Sequence, residues 1–312
     1  MVFRIVSPLW IALAVLFCSH LPVCGAVLFV SNYITNTIDR VDEGGRRSVF
    51  ASGLNQPRGL VFDDSGLLYA ANSSSNQILR FAPDGTESIF ATELLNGPRG
   101  LAFDDAGTLF VTNGIGNTVV TISPLGDVSL FAGGSFLSSP RGLAFDAQGY
   151  LFVANSGNNT ILKLAIDGTR TVLTSTLLST PYGLVFDSAG TLYVSNLSGS
   201  VVKWNADGTF TSFISTQLAS PYGMVFDEAG TLFVANLGSG LIQEFSAAGR
   251  FLGTYSSAPN TGPTFLVSGP AAPEPGTALA CLAGAALLVS LRRAGGQRSG
   301  TGRLEFLISR AE

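Results

Sequence analysis

Leu28-Phe-Val-Ser-Asn32, Leu68-Tyr-Ala-Ala-Asn72, Leu109-Phe-Val-Thr-Asn113, Leu151-Phe-Val-Ala-Asn155, Leu192-Tyr-Val-Ser-Asn196 and Leu232-Phe-Val-Ala-Asn236 are one pentapeptide written six times. The copies are spaced by 40, 41, 42, 41 and 40 residues. Such a period marks a repeat architecture in which each unit buries its apolar face against the next. Five copies follow a second recurrent segment: Pro57-Arg-Gly-Leu-Val-Phe-Asp63, Pro98-Arg-Gly-Leu-Ala-Phe-Asp104, Pro140-Arg-Gly-Leu-Ala-Phe-Asp146, Pro181-Tyr-Gly-Leu-Val-Phe-Asp187 and Pro221-Tyr-Gly-Met-Val-Phe-Asp227. Short β-branched and aromatic runs bounded by Gly and Asp are strands, and the Gly-containing turn after Phe-Asp joins each pair. A third strand such as Ile78-Leu-Arg-Phe81, a hairpin turn such as Asp84-Gly85 and a fourth strand such as Ser88-Ile-Phe90 complete the unit.

Four short antiparallel strands per repeat make one propeller blade. The body shows no long 3.6-residue periodicity, which excludes helical repeats. The expected fold is therefore all-β, a six-bladed β-propeller of four-stranded blades over residues 27–269. The repeat region begins at a second strand with no Pro-x-Gly strand before it, and Thr264-Phe-Leu-Val267 follows the last blade with nothing to pair. The C-terminal strand is expected to supply the missing first strand and close the ring.

Charged residues are 12% of the protein and Gly numbers 37, the balance of a turn-rich, well-buried β protein. Residues 27–271 hold 11 Lys+Arg against 18 Asp+Glu, a net charge of −7. Nucleic acid is excluded as a partner, because tracking phosphates needs a basic stripe. The cysteines, Cys18, Cys24 and Cys281, fall in terminal apolar segments, so the body has no thiol for a disulfide, a metal or nucleophilic attack.

Apolar segments lie at both ends. Residues 1–26 carry Arg4 as their only charge, then Trp10-Ile-Ala-Leu-Ala-Val-Leu-Phe17, and finish in the small residues Gly25-Ala26, the pattern of a signal peptide. A Pro/Ala linker at 270–276 precedes an apolar stretch ending in Arg292-Arg293, over 277–293, and an extension at 294–312. A basic stop after a short span leaves the propeller outside the membrane, which the protein touches through this tail. Pro273-Glu-Pro-Gly276, the apolar stretch and Arg292-Arg293 resemble the PEP-CTERM sorting signal. That resemblance implies an exosortase-type sorting enzyme as a partner and a periplasmic or cell-surface location, with the protein anchored or released after processing. The extension at 294–312 departs from the pattern.

The repeat resembles NHL repeats and the six-bladed propellers of the SMP-30/gluconolactonase type, with Asn where the NHL strand usually ends in Asp. In such propellers the first strand of each blade lines the axis. The resemblance therefore implies that Arg58, Arg99, Arg141, Tyr182 and Tyr222 ring one mouth, with Asn32, Asn72, Asn113, Asn155, Asn196 and Asn236 close by. An Asn demanded in every blade serves loop backbone groups first. The middle position of Pro-x-Gly varies on a fixed frame, as recognition residues do. The candidate ligand-binding set is Arg58, Arg99, Arg141, Tyr182, Tyr222, Asn72, Asn113, Asn155 and Asn196. Three arginines and two tyrosines suit a carboxylate, a sulfate or a sugar ring through forked hydrogen bonds and stacking, or they lie across the mouth and shield the channel.

His20, the only histidine, falls within the signal segment. The body has no imidazole for general-base, Ser-His or metal chemistry, so no catalytic or metal residue is assigned. The expected function is binding of a protein or exopolysaccharide partner, with no cofactor. The alternative is a calcium-dependent lactone or ester hydrolase. Gluconolactonase-like relatives hold Ca²⁺ with a Glu, Asn and Asp set, and Asn113, Asn155 or Asn196 would supply the amide.

Overall fold

The structure, a computed structural model, describes residues 27–269. They form six four-stranded antiparallel sheets, with two 3-10 turns, Ser73–Ser75 and Ser156–Asn158, and no α-helix among the described residues. The expectations for 1–26, 270–276, 277–293 and 294–312 lie outside the described residues.

Blade 1 is assembled from both ends of the described region. Its order is Pro263–Gly269, Val27–Asn32, Thr37–Val41, Arg47–Ala51, with Val27 facing Gly269 and Val30 facing Leu266. The closing strand expected from the sequence is present. Blades 2 to 6 are continuous meanders that begin with the inner strands Pro57–Phe62, Pro98–Phe103, Pro140–Phe145, Pro181–Phe186 and Pro221–Phe226. The six inner strands pack side by side around the axis, each against the next.

Glycine makes that ring possible. A Cβ on Gly142 would stand 2.5 Å from the Tyr182 carbonyl oxygen of the next blade, and one on Gly59, Gly100 or Gly183 would meet the carbonyl of Arg99, Arg141 or Tyr222 in the same way. Only a residue without a side chain lets neighbouring backbones approach so closely.

The second strands are buried along their length, because each sheet is covered on both faces by its neighbours. Their aromatic residue stands edge-on to the Phe of the next blade's Phe-Asp: Phe29 to Phe62 at 5.1 Å, Tyr69 to Phe103 at 5.1 Å, Phe110 to Phe145 at 5.0 Å, Phe152 to Phe186 at 5.2 Å and Tyr193 to Phe226 at 5.1 Å. Such pairs contribute about 0.5–1.5 kcal/mol beyond the area they bury.

The sixth junction, between blade 6 and blade 1, keeps an apolar cluster, Leu28, Val30 and Leu266 against Phe233, Ala235 and Ile242, but has Ser268 where the other inner strands have that Phe, and adds polar contacts. Arg47 pairs with Asp39 at 3.4 Å with both side chains nearly buried, and its Nε donates to Ser256 Oγ of blade 6. Tyr255 donates to the Asp42 carbonyl oxygen.

Candidate functional site

Each inner strand is launched by a residue in the left-handed region directly before its proline: Gln56, Gly97, Ser139, Thr180, Ser220 and Gly262 have φ of 54, 62, 46, 53, 51 and 66°. In four of them the backbone N–H donates to an asparagine of the preceding blade, itself left-handed: Gln56 to Asn36, Gly97 to Asn76, Ser139 to Asn117 and Thr180 to Asn159. These clamps offset the backbone strain and fix where the Pro-x-Gly side chain emerges. Each launching proline of blades 2 to 6 faces the last Asn of its blade's second strand. The two rings expected on one face are on one face.

Around the mouth the varying side chains divide it in two. Arg58, Arg99 and Arg141 come from three consecutive blades, and Tyr182, Tyr222 and Thr264 from the other three. Tyr182 is fully buried beside Tyr222, their ring centroids 3.7 Å apart, and stands 6.1 Å from the Phe265 ring. Arg58 Nη1, from the opposite blade, donates to the Tyr182 hydroxyl at 2.7 Å, and Arg141 Nη1 donates to the same oxygen at 3.2 Å. The Arg141 guanidinium also lies 4.9 Å from the centre of the Tyr182 ring, and that of Arg58 lies 4.5 Å from the Tyr33 ring. Arg99 lies against the backbone of Gly114, in space that any Cβ there would fill.

No carboxylate balances these charges. The two ion pairs among the described residues, Arg47 with Asp39 and Lys163 with Asp146, lie elsewhere. The buried Nε atoms of Arg58, Arg99 and Arg141 and Nη1 of Arg99 have no hydrogen-bond partner. Burial, with a smaller push from Tyr182 and against the pull of the two arginines, raises the pKa of the Tyr222 hydroxyl. It therefore stays neutral at ordinary pH.

Beneath the mouth the axis is narrow, walled by inner-strand backbone and apolar side chains. A cavity of about 80 Å³ is lined by Leu60, Leu101, Leu143, Leu184, Met224 and Phe265, among others. Phe265 stands where the other five blades have glycine.

The asparagines are used differently from the arginines. Asn113 Oδ1 accepts the Asn96 N–H at 3.0 Å while its Nδ2 donates to the Leu94 carbonyl at 2.8 Å; Asn155 does the same with Ser138 and Phe136, and Asn196 with Ser179 and Leu177. Asn72 accepts the Asn55 N–H, and all four are buried. Asn72, Asn113, Asn155 and Asn196, expected among the ligand contacts, thus have their amides engaged with loop backbone groups. On the far face the Phe-Asp carboxylates accept backbone N–H groups of their own turns, as Asp104 does from Ala106 and Thr108. A calcium ion of the gluconolactonase kind does not fit this mouth: its amides are engaged in loops, no carboxylate joins it, and no group of three or more His, Cys, Asp or Glu among the described residues is placed to hold a metal.

Three features were not read from the sequence. Ser31, Thr112 and Ser195, in alternate blades, donate across blade junctions to the carbonyls of Arg58, Arg141 and Tyr222, while the intervening blades have Ala71, Ala154 and Ala235. The recurring Asn four residues beyond the pentapeptide, as in Asn32 and Asn36, signals the clamp. The Gly-to-Phe exchange at 265 was visible as a departure from the repeat.

Residues 24–272 match the virginiamycin B lyase family. The chain belongs to that family. Solved structures share its fold at low identity. A structure of the nidogen/laminin complex matches at 19% identity and a TM-score of 0.70, over 78% of this chain and 97% of that one. A catalytically inactive histidine-to-alanine variant of virginiamycin B lyase from Staphylococcus aureus, with quinupristin, matches at 17% and 0.60 over 75% and 86%. A gluconolactonase from Xanthomonas campestris matches at 17% and 0.61 over 80% and 93%. No curated protein matches the sequence. This member of the virginiamycin B lyase family has no histidine anywhere in residues 27–269.

Proposed function

We propose that this protein is an exported binding propeller, and not an enzyme, whose axial mouth engages a protein or exopolysaccharide partner. The observation that carries the reading is the mouth itself: three arginines without a carboxylate, set on a bed of buried tyrosine. Uncompensated, forked donors at the centre of a rigid ring suit recognition. The lack of a body histidine removes the usual general acid or base, and the related lyase is inactive when one histidine becomes alanine. Binding of a protein by a propeller of this shape has a precedent in the nidogen/laminin complex. Export through residues 1–26 and sorting by an exosortase-type enzyme through 273–293 complete the proposal, resting on the motifs alone.

The test is retention on the surface fraction of the cells that produce the protein. Replacing Arg58, Arg99 and Arg141 together by Gln should abolish it with the melting temperature kept. Unchanged retention sinks the mouth as the binding surface. The alternative is the calcium-dependent lactone or ester hydrolase that the gluconolactonase resemblance implies, and turnover of small lactones that is lost with chelator would replace the binding proposal with it.

A further inference from the structure

The mouth also points to the kind of group it takes, on the assumption that it binds a partner at all. Arg58 and Arg141 share one phenol oxygen as acceptor, Arg99 has none, and the inner N–H groups of all three are unsatisfied. A buried donor without a partner is a standing deficit, which a forked oxyanion acceptor removes. The surrounding charge limits how many anions one ligand carries. With a net charge of −7 over residues 27–271, the domain repels a polyanion that extends beyond the mouth. Two of the loops beside the arginines present an exposed isoleucine: Ile34, next to the Tyr33 that Arg58 covers, is 57% exposed, and Ile115, next to the Gly114 that Arg99 covers, is 65% exposed. The cavity below is lined by apolar side chains and offers a charged group no side-chain partner, so the anionic group stops at the arginines and the rest of the ligand lies over the loops.

We infer that the mouth receives a single carboxylate borne on an apolar peptide segment of a protein partner, such as the carboxyl terminus of a polypeptide, and not a polyuronate glycan.

The experiment titrates the full-length protein with N-acetyl-Leu-Leu, with its C-terminal amide and with polygalacturonate, following the side-chain Nε–H resonances of Arg58, Arg99 and Arg141 by NMR and affinity by calorimetry. The free acid is expected to shift those resonances and to bind roughly tenfold or more tightly than the amide, the worth of a charge-assisted hydrogen bond. Arg99→Gln, whose side chain bonds to nothing in the protein, should lose a similar factor with the melting temperature unchanged. Affinity should stay flat between about pH 6 and 9, since neither arginine nor a peptide carboxylate titrates there. Equal binding of acid and amide, or tighter mouth binding of polygalacturonate than of the dipeptide, overturns the single-carboxylate inference while the binding function stands. If no probe moves the arginine resonances and the triple Gln variant is also retained on cells, both readings fall.

Discussion

At the scale of single residues, the same kind of position can be structural or free, and the neighbours decide. Gly142 and Arg141 are adjacent, yet one is fixed by the next blade's backbone and the other reaches over the axis to a phenol. Gly142→Ala should destabilise the protein by about 1–3 kcal/mol, the cost of overpacking, because the obstructing atom is a backbone carbonyl that cannot step aside. Chemical denaturation measures it, and an unchanged midpoint would mean that the inner ring yields more than its spacing suggests. Glu244 offers a pH-dependent case. Burial, followed by the nearby Asp227, raises its pKa, so the folded state disfavours its ionised form. The stability it leaves intact below the ordinary glutamate range is lost as pH rises through the raised value. Glu244→Gln should thus melt higher than the parent near neutral pH, with the gap closing at about pH 4, where both are uncharged.

At the scale of strands and loops, the blade was legible because its constraints recur. The pentapeptide, the Pro-x-Gly strand and the Phe-Asp turn each answer the same demand six times or nearly so, and repetition separates demand from accident. The closing strand was legible by subtraction, since blade 1 lacked an inner strand and residues 264–267 lacked a partner. What escaped reading depends on contacts between blades: the asparagine clamps reach 20 to 22 residues ahead, as from Asn36 to Gln56 and from Asn117 to Ser139, into a loop whose shape the pattern does not encode. The mouth was half legible. The resemblance to six-bladed propellers placed Arg58, Arg99, Arg141, Tyr182 and Tyr222 together, but the asparagines set beside them turn into the loops, a choice made by backbone groups 17 and 19 residues earlier. Asn155→Ala should unsatisfy the Ser138 N–H and the Phe136 carbonyl and destabilise by about 2 kcal/mol or more, whereas Arg99→Gln should be near neutral. Thermal melts of the two variants side by side make the comparison, and equal losses would erase the distinction between loop support and recognition.

At the scale of the whole ring, five junctions carry an edge-on aromatic pair, while the sixth keeps an apolar cluster and adds hydrogen bonds from Arg47, itself paired with Asp39 of its own blade, and from Tyr255. A nearly buried pair is strongly destabilised when one partner is lost, by about 3–5 kcal/mol, yet replacing both by apolar residues is often neutral or better. Arg47→Leu should therefore weaken the protein markedly, and Arg47→Leu with Asp39→Leu should recover most of the loss. If the double variant stays as weak as the single one in denaturant, the seam depends on the charges for more than mutual compensation. Blade 1 has one more consequence. Val27 and Gly269 face each other, so the backbone leaves the propeller in both directions from one edge of one sheet. Tension between the two ends falls on that single strand pair and parts its hydrogen bonds one after another, like a zip, while the other blades, each a continuous meander, carry no load. Under pull, the ring has one clasp, and it opens there first.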